Sequence, residues 1–409
     1  MTDTFVIVGG GLAGAKAAET LREEGFAGRL VLIAAEDELP YERPPLSKGY
    51  LLGSAPREEA QVHPREFYGE HDIELLAGVA ATAVDVVEHR LALADGRSVT
   101  YDRLLIATGA VPRRPPIPGI DLDGVHTLRT LADSDALRAA FQPGGSVAVI
   151  GAGWIGCEVA AAARTHGADV VLVERAATPL HAVLGPELGG WFGDLHAAHG
   201  VRVLTGVAVE RIAGAGRVEA VRLGGGDTIE CDAVVVGVGV APDTTLAAAA
   251  GLQIDDGIVV DEHLRTSAPD VFAAGDVANA FHPYYGRHVR VEHWANALNQ
   301  GPVAARSMLG RDEPYDRLPY FFTDQYDAGM EYTGLHDPHD TLILRGAPAD
   351  AAFHALWLDA ERRVTAGMHI NQWDTIESVE RLIRAGAPVD LERLADTDTE
   401  LDALARAPS

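Results

Sequence analysis

The sequence predicts an α/β protein with two doubly wound, parallel-sheet domains and a smaller α+β domain at the C-terminus. Three observations carry that prediction. Two short apolar runs, residues 4–9 and 146–151, each lead into a glycine loop and then an alanine-rich stretch of helical character. Each is followed by a second apolar run ending in an acid, residues 30–33 before Glu36 and residues 170–173 before Glu174. From about residue 318 the composition turns to aromatic and alternating segments.

The chain has 409 residues, 47% hydrophobic and 23% charged, enough for two or three domains at about 100–200 residues each. No run approaches the ~20 apolar residues of a membrane span, and Met1-Thr2-Asp3 passes straight into an apolar strand without a charged leader. A cytoplasmic enzyme is the expectation. With 33 Lys and Arg against 60 Asp and Glu, the formal charge of −27 opposes nucleic acids and anionic membranes as partners. The two cysteines, Cys157 and Cys231, stand far apart, which excludes a disulfide framework, a CxxC or CxxxxC redox pair and a zinc knuckle. Both read as small buried hydrophobes, and no metal site is expected.

The first loop, Gly9-Gly10-Gly11-Leu12-Ala13-Gly14, has the GxGxxG spacing that bends the chain tightly and lets a pyrophosphate approach a helix N-terminus. Glu36 follows Gly14 by about 20 residues, the spacing that brings a carboxylate to the hydroxyls of an adenosine ribose. The second loop, Gly151-Ala152-Gly153-Trp154-Ile155-Gly156, repeats the pattern, with Glu174 at its second strand end. A carboxylate there repels a 2′-phosphate and favours NADH over NADPH. Arg175 works against that preference if its guanidinium turns inward.

Residues 111–118 are rich in proline, cannot sustain a helix or central strand, and read as a connector. After about residue 242 no third glycine loop begins; a Gly/Asp turn, a strand at residues 257–260 and the run Asp270-Val271-Phe272-Ala273-Ala274-Gly275-Asp276-Val277 suggest a return to the first domain. The expected organisation is residues 1–112 with 242–317, residues 113–241, and residues 318–409. In the last domain, residues 319–325 and 352–358 read as strands and residues 376–384 as a helix capped by Gly386. The last dozen residues, acidic and alanine-rich, are expected to fray.

Two such units, with Ala107-Thr108-Gly109 closing the first segment and Ala274-Gly275-Asp276 in the returning one, resemble the flavoprotein reductases with two Rossmann-like dinucleotide-binding domains of the glutathione reductase type. The run Leu39-Pro40-Tyr41-Glu42-Arg43-Pro44-Pro45-Leu46-Ser47-Lys48 is similar to the putidaredoxin, rubredoxin and Rieske-dioxygenase reductases within them. Val238-Gly239-Val240-Ala241-Pro242-Asp243 and Pro319-Tyr320-Phe321-Phe322-Thr323-Asp324-Gln325 extend the likeness across the chain, with Phe322 where the family often has Trp.

The resemblance implies FAD on Gly9, Gly11, Leu12, Ala13, Gly14 and Glu36, and NAD(H) on Gly151, Gly153, Trp154, Ile155, Gly156, Glu174 and Gly239. It also implies FAD contacts from Arg43, Lys48, Ala107, Thr108, Gly109, Gly275, Asp276, His293, Trp294 and Ala295, and a nicotinamide contact from Glu158. Lys48, Glu158 and Trp294 are the residues expected nearest the chemistry. That chemistry is a hydride passed from NADH to FAD and then two single electrons delivered to a ferredoxin, a small iron–sulfur protein of the two-iron type, which feeds a monooxygenase or dioxygenase. Arg65, Arg290, Arg306 and Arg311 are candidates for holding that acidic partner. The alternatives are an NADH oxidase or peroxidase, for which a flavin-side cysteine is missing, and an NAD(H)-binding flavoprotein resembling the apoptosis-inducing factors.

Overall fold

A computed structural model describes residues 3–405. The chain divides into two compact units, and it crosses between them several times. One unit holds residues 1–45, 55–111 and 240–317; the other holds residues 46–54, 112–239 and 318–409.

The first unit is built on a parallel five-stranded sheet, ordered Val271–Ala273, Arg103–Ile106, Thr4–Val8, Arg29–Ile33, Ile73–Leu76. Its middle strand, four of its five residues buried, feeds the helix Leu12–Glu23, so the glycine loop lies at the carboxyl edge where the strand order reverses. Ligands of open α/β sheets bind at such a switch point. The helix Trp294–Met308 packs along Leu12–Glu23, and Gly301 makes that approach possible: a Cβ there would stand 2.5 Å from the carbonyl oxygen of Ala13.

The second unit repeats the plan with strands ordered Arg202–Leu204, Asp169–Val173, Ser146–Ile150, Ala233–Val236, Val125–His126, again parallel, and the helix Trp154–Thr165 after the second glycine loop. Each unit also carries a three-stranded antiparallel sheet, 81–100 in the first and 209–230 in the second, so the duplication is more extensive than the glycine loops indicate.

Residues 318–409 form an antiparallel five-stranded sheet, ordered Tyr320–Gln325, Ala328–Gly334, Val364–Ile370, Ala352–Leu358, Thr341–Ala347, covered by the helix Ile376–Ala385. Gly386 ends that helix in the left-handed conformation, φ 57°. This sheet belongs to the same compact unit as residues 112–239, together with the excursion 46–54, whereas the sequence places 46–54 with residues 1–112.

As far as residue 405 the tail corrects the expectation of fraying. Leu401–Leu404 is a helix that buries Leu401 and Leu404, and Arg381 pairs with Asp402. Just before it, the buried Arg345 guanidinium donates to the carbonyl oxygens of Leu394, Asp396, Thr397 and Thr399, four acceptors that would otherwise compete for water. Residues 406–409 lie outside the described part. No helix among the described residues is long and apolar enough to cross a membrane.

Candidate functional site

Within each glycine loop the three glycines of the GxGxxG spacing have three different reasons to be glycine. Gly9 turns with φ 131°, and a Cβ there would lie 2.0 Å from the Ala107 carbonyl oxygen. Gly14 packs its helix on the turn, where a Cβ would come within 2.1 Å of the Gly9 oxygen. A Cβ on Gly11 would meet nothing within 4 Å. The second loop divides the same way: Gly151 turns at φ 97°, Gly156 would put a Cβ 1.9 Å from the Gly151 oxygen, and Gly153 is open. Turn, approach and packing are the three requirements of a pyrophosphate cradle, and the open position sits at a helix N-terminus whose N–H groups favour an anion. Both loops therefore fit a dinucleotide.

Around the first loop, Leu12 and Ala13 are buried opening residues of the helix, and Ala13 packs beneath Gly275, where a Cβ would approach it to 3.1 Å. Glu36 accepts from the Tyr41 hydroxyl at 2.6 Å and from Arg43 Nη2 at 2.9 Å, and the Arg43 guanidinium lies 4.5 Å over the Tyr41 ring. Arg43 is thus held by protein groups, while each Glu36 oxygen keeps a second lone pair. Ala107, buried, ends in the turn where the Thr108 hydroxyl donates to the Asp243 carbonyl (2.7 Å) and Asp243 N–H donates to that of Gly109 (2.9 Å).

Gly275, φ 80°, donates its N–H to the Gln300 side chain at 2.9 Å and opens the short turn that carries Asp276. His293 is the N-cap of the helix Trp294–Met308, with Ala295 buried in its first turn. His293 keeps some solvent contact, yet the packing around its ring pushes its pKa down to about 4. Trp294 Nε1 donates to Glu42 at 2.9 Å, a link within the first unit.

In the second unit, Glu174 accepts from the backbone N–H groups of Ala152 and Ala176, each at 2.7 Å, so its carboxylate is fixed in place at the mouth of the second loop. Arg175 is exposed and makes no ion pair among the described residues. Trp154 packs against Phe321 and Phe192, ring centroids 4.8 and 5.8 Å away, whereas Ile155 is exposed beside the loop. Gly239, φ 94°, is exposed, and its carbonyl accepts from Arg113 N–H at 2.9 Å.

The structure brings Lys48 and Glu158 together in a buried cluster. Glu158, 5% exposed on the helix Trp154–Thr165, accepts from Lys48 Nζ and from the Thr323 hydroxyl (2.5 Å) on one oxygen and from the Ser47 hydroxyl on the other. The Lys48 ammonium also lies 5.3 Å over the Phe322 ring. Sequence reasoning quoted Ser47 and Thr323 inside longer runs without a role. The same is true of Gln325, which donates to Thr323; what it missed is His196, which bonds Gln325 and Tyr326. Nothing in the local pattern around His196 distinguishes it from an ordinary core histidine.

Two expectations about surface groups change. Arg290 is not free to hold a partner: its side chain is 11% exposed and pairs with Asp256 and Glu292. Arg306 and Arg311 both pair with Glu24, so that of the four candidates Arg65 is the one that is exposed and makes no ion pair among the described residues. Cys157 is fully buried and burial pushes its thiol well above the ordinary range, while Cys231 is pushed up to about 11. Neither is poised as a thiolate.

Residues 3–301 match the model for "Pyridine nucleotide-disulphide oxidoreductase", and residues 320–405 match "Reductase C-terminal". The chain is 41% identical over 407 residues to the 5,5'-dehydrodivanillate O-demethylase ferredoxin reductase subunit of Sphingobium sp., covering 98% of both. It is 36% identical to putidaredoxin reductase of Pseudomonas putida, covering 98% of this chain and 96% of that protein. Among solved structures it superposes on putidaredoxin reductase in its covalent complex with putidaredoxin, TM-score 0.95 at 35% identity, covering 98% of each chain. A ferredoxin reductase from Rhodopseudomonas palustris gives the same score at 37% identity, covering 99% of this chain and all of that one. Two glycine cradles on duplicated parallel sheets, with a C-terminal antiparallel sheet, define a flavoprotein oxidoreductase that uses a pyridine nucleotide. The chain belongs to the pyridine nucleotide-disulphide oxidoreductase family, among its ferredoxin reductases.

Proposed function

We propose that this protein is a cytoplasmic, FAD-dependent ferredoxin reductase that takes electrons from NADH and delivers them to a small iron–sulfur protein serving a monooxygenase or dioxygenase. The observation that carries the reading is the intactness of both dinucleotide cradles in a chain that matches ferredoxin reductases over nearly its whole length.

Residues 1–112 and 242–317 hold FAD in this reading, with its pyrophosphate over Gly11 and its adenosine ribose on Glu36. Residues 113–241 hold the nicotinamide dinucleotide, its pyrophosphate over Gly153 and its ribose on Glu174, whose negative charge disfavours a 2′-phosphate. Bound FAD supplies the conversion of a hydride into two single electrons. The protein supplies orientation and electrostatics. Lys48 places a cation by the flavin, Asp276 accepts from the ribityl chain, and the helix N-terminus at His293, Trp294 and Ala295 faces the pyrimidine edge. Trp294 packs near the flavin, and Glu158 accepts from the nicotinamide carboxamide. Arg65 is the candidate contact for the acidic acceptor.

Stopped-flow reduction by NADH and by NADPH, followed by cytochrome c reduction with and without a two-iron ferredoxin, tests the reading. The expected result is rapid bleaching with NADH and turnover that depends on ferredoxin. Bleaching with ferredoxin-independent turnover would overturn it.

A further inference from the structure

Behind Glu158 runs a row of polar side chains that passes through Thr323, Gln325 and His196 and ends at the half-buried Tyr326. Tyr326 Oη stands 3.1 Å from His196 Nδ1, His196 Nε2 stands 3.0 Å from Gln325 Oε1, Gln325 Nε2 stands 3.2 Å from Thr323 Oγ1, and Thr323 Oγ1 stands 2.5 Å from Glu158 Oε1. Glu158, Thr323, Gln325 and His196 are each no more than 5% exposed, so water cannot substitute for a missing partner.

The donors and acceptors in this row fix one another. A carboxylate only accepts, so Thr323 directs its single proton to Glu158. Thr323 Oγ1 then accepts, and Gln325 must present its NH2 group to it. The amide carbonyl consequently faces His196, whose ring must carry its proton on Nε2, and the bare Nδ1 accepts from the Tyr326 hydroxyl. Every donor points toward Glu158. Were the imidazole proton on Nδ1 instead, Nε2 would face Gln325 as an acceptor, the amide would reverse, and the Thr323 hydroxyl would be drawn to the amide oxygen and away from Glu158. Burial favours the one-proton ring, lowering His196 to about 4, and it also keeps the Tyr326 phenol protonated by raising its pKa.

The row has a consequence at the carboxylate. An ionised Glu offers about four lone-pair sites. Lys48 and Thr323 fill Oε1, Ser47 alone reaches Oε2, and the remaining site is on Oε2.

We propose that Gln325 and His196 are positioning residues for Glu158: acting through Thr323, they keep Oε1 occupied and leave Oε2 as the atom that accepts from the nicotinamide carboxamide. This rests on the assignment of Glu158 to the nicotinamide made above.

Calorimetric binding of NAD+ and of ADP-ribose, which lacks the nicotinamide, to the FAD-loaded protein tests it without turnover. Thr323→Val should weaken NAD+ about fivefold and leave ADP-ribose unchanged, while Thr323→Ser should match the parent on both. A packing role predicts that Val is tolerated at least as well as Ser. Gln325→Glu, which as a carboxylate cannot donate to Thr323, should reproduce the Val effect and add nothing when combined with Glu158→Gln; if it takes up a proton in its buried place or does not hold FAD, Gln325→Met, which has no donor in any state, takes its place. Val and Ser behaving alike, parent-like NAD+ affinity in the Gln325 variant, or full additivity with Glu158→Gln would each overturn the proposal. Glu158→Gln alone separates the two ideas. If it binds NAD+ and is reduced by NADH like the parent, the nicotinamide assignment fails and the positioning row fails with it. If it is impaired while Thr323→Val and Gln325→Glu are not, only the row fails.

Discussion

Lys48 and Glu158 stand 110 positions apart in the chain and form one ion pair whose side chains are 16% and 4% exposed. Removing one member of such a pair leaves the other buried without its counter-charge, which costs far more than the intact pair contributes. Lys48→Met should therefore lower stability by about 3 kcal/mol, measured by urea unfolding of the FAD-loaded protein. The double variant Lys48→Met with Glu158→Leu should recover part of that loss. A single variant as stable as the parent would show that the pair is not desolvated.

The glycines make a sharper test, because their reasons for being glycine differ. Gly14→Ala and Gly156→Ala drive a Cβ into a carbonyl oxygen and should destabilise the FAD-free protein by about 1–3 kcal/mol. Gly11→Ala meets nothing, so the FAD-free protein should keep its stability within about 0.5 kcal/mol while FAD affinity falls. Thermal melts with and without FAD check both. Equal loss of apo stability at Gly11 and Gly14 would contradict the division of roles.

Glu174 cannot swing away from an incoming 2′-phosphate without giving up two backbone hydrogen bonds. Glu174→Ala should reduce the preference for NADH over NADPH by about tenfold or more, read as the ratio of kcat/KM values. An unchanged ratio would place nucleotide selection elsewhere.

His196 sets a pH dependence of stability. Its folded pKa of about 4 lies below the ordinary 6.5, so between these values the unfolded chain binds the extra proton. Stability is fully present above about pH 6.5 and falls as the pH drops toward 4, by at most roughly 3 kcal/mol for this residue. His293 and His354, also lowered to about 4, act in the same direction. His196→Gln should flatten the slope of unfolding free energy against pH in that window; an identical slope would count against a buried neutral ring.

Both thiols are buried and raised, so N-ethylmaleimide should leave the rate of reduction by NADH unchanged in the folded protein and label both cysteines only after denaturation. Loss of activity on labelling the folded protein would reopen a thiol mechanism.

What was legible in the sequence was what is decided locally. A glycine in a tight turn or a close helix packing excludes other residues on steric grounds, and the acid at the end of the second strand follows within a fixed length of chain, so both cradles could be read from spacing. The contents of the Glu158 cluster could not, because Ser47, Lys48 and Thr323 arrive from segments that no local periodicity connects. The same holds for Arg290, Arg306 and Arg311, whose carboxylate partners are set by tertiary packing, and for the C-terminal helix, whose two leucines carry too little hydrophobic pattern to announce a buried face.

The excursion Leu46–Ser54 has a bearing on biosynthesis. It leaves the ribosome early, but the helix that supplies Glu158 follows more than a hundred residues later, and Thr323 later still. At about 5–20 residues per second, the nascent chain carries Ser47 and Lys48 for several seconds or longer before Glu158 is made. The first sheet also waits, since its edge strand Val271–Ala273 is translated after all of residues 112–239. Neither unit can mature from a contiguous stretch of message, so a gene split at the second glycine loop would yield two fragments that must find each other before either unit is complete.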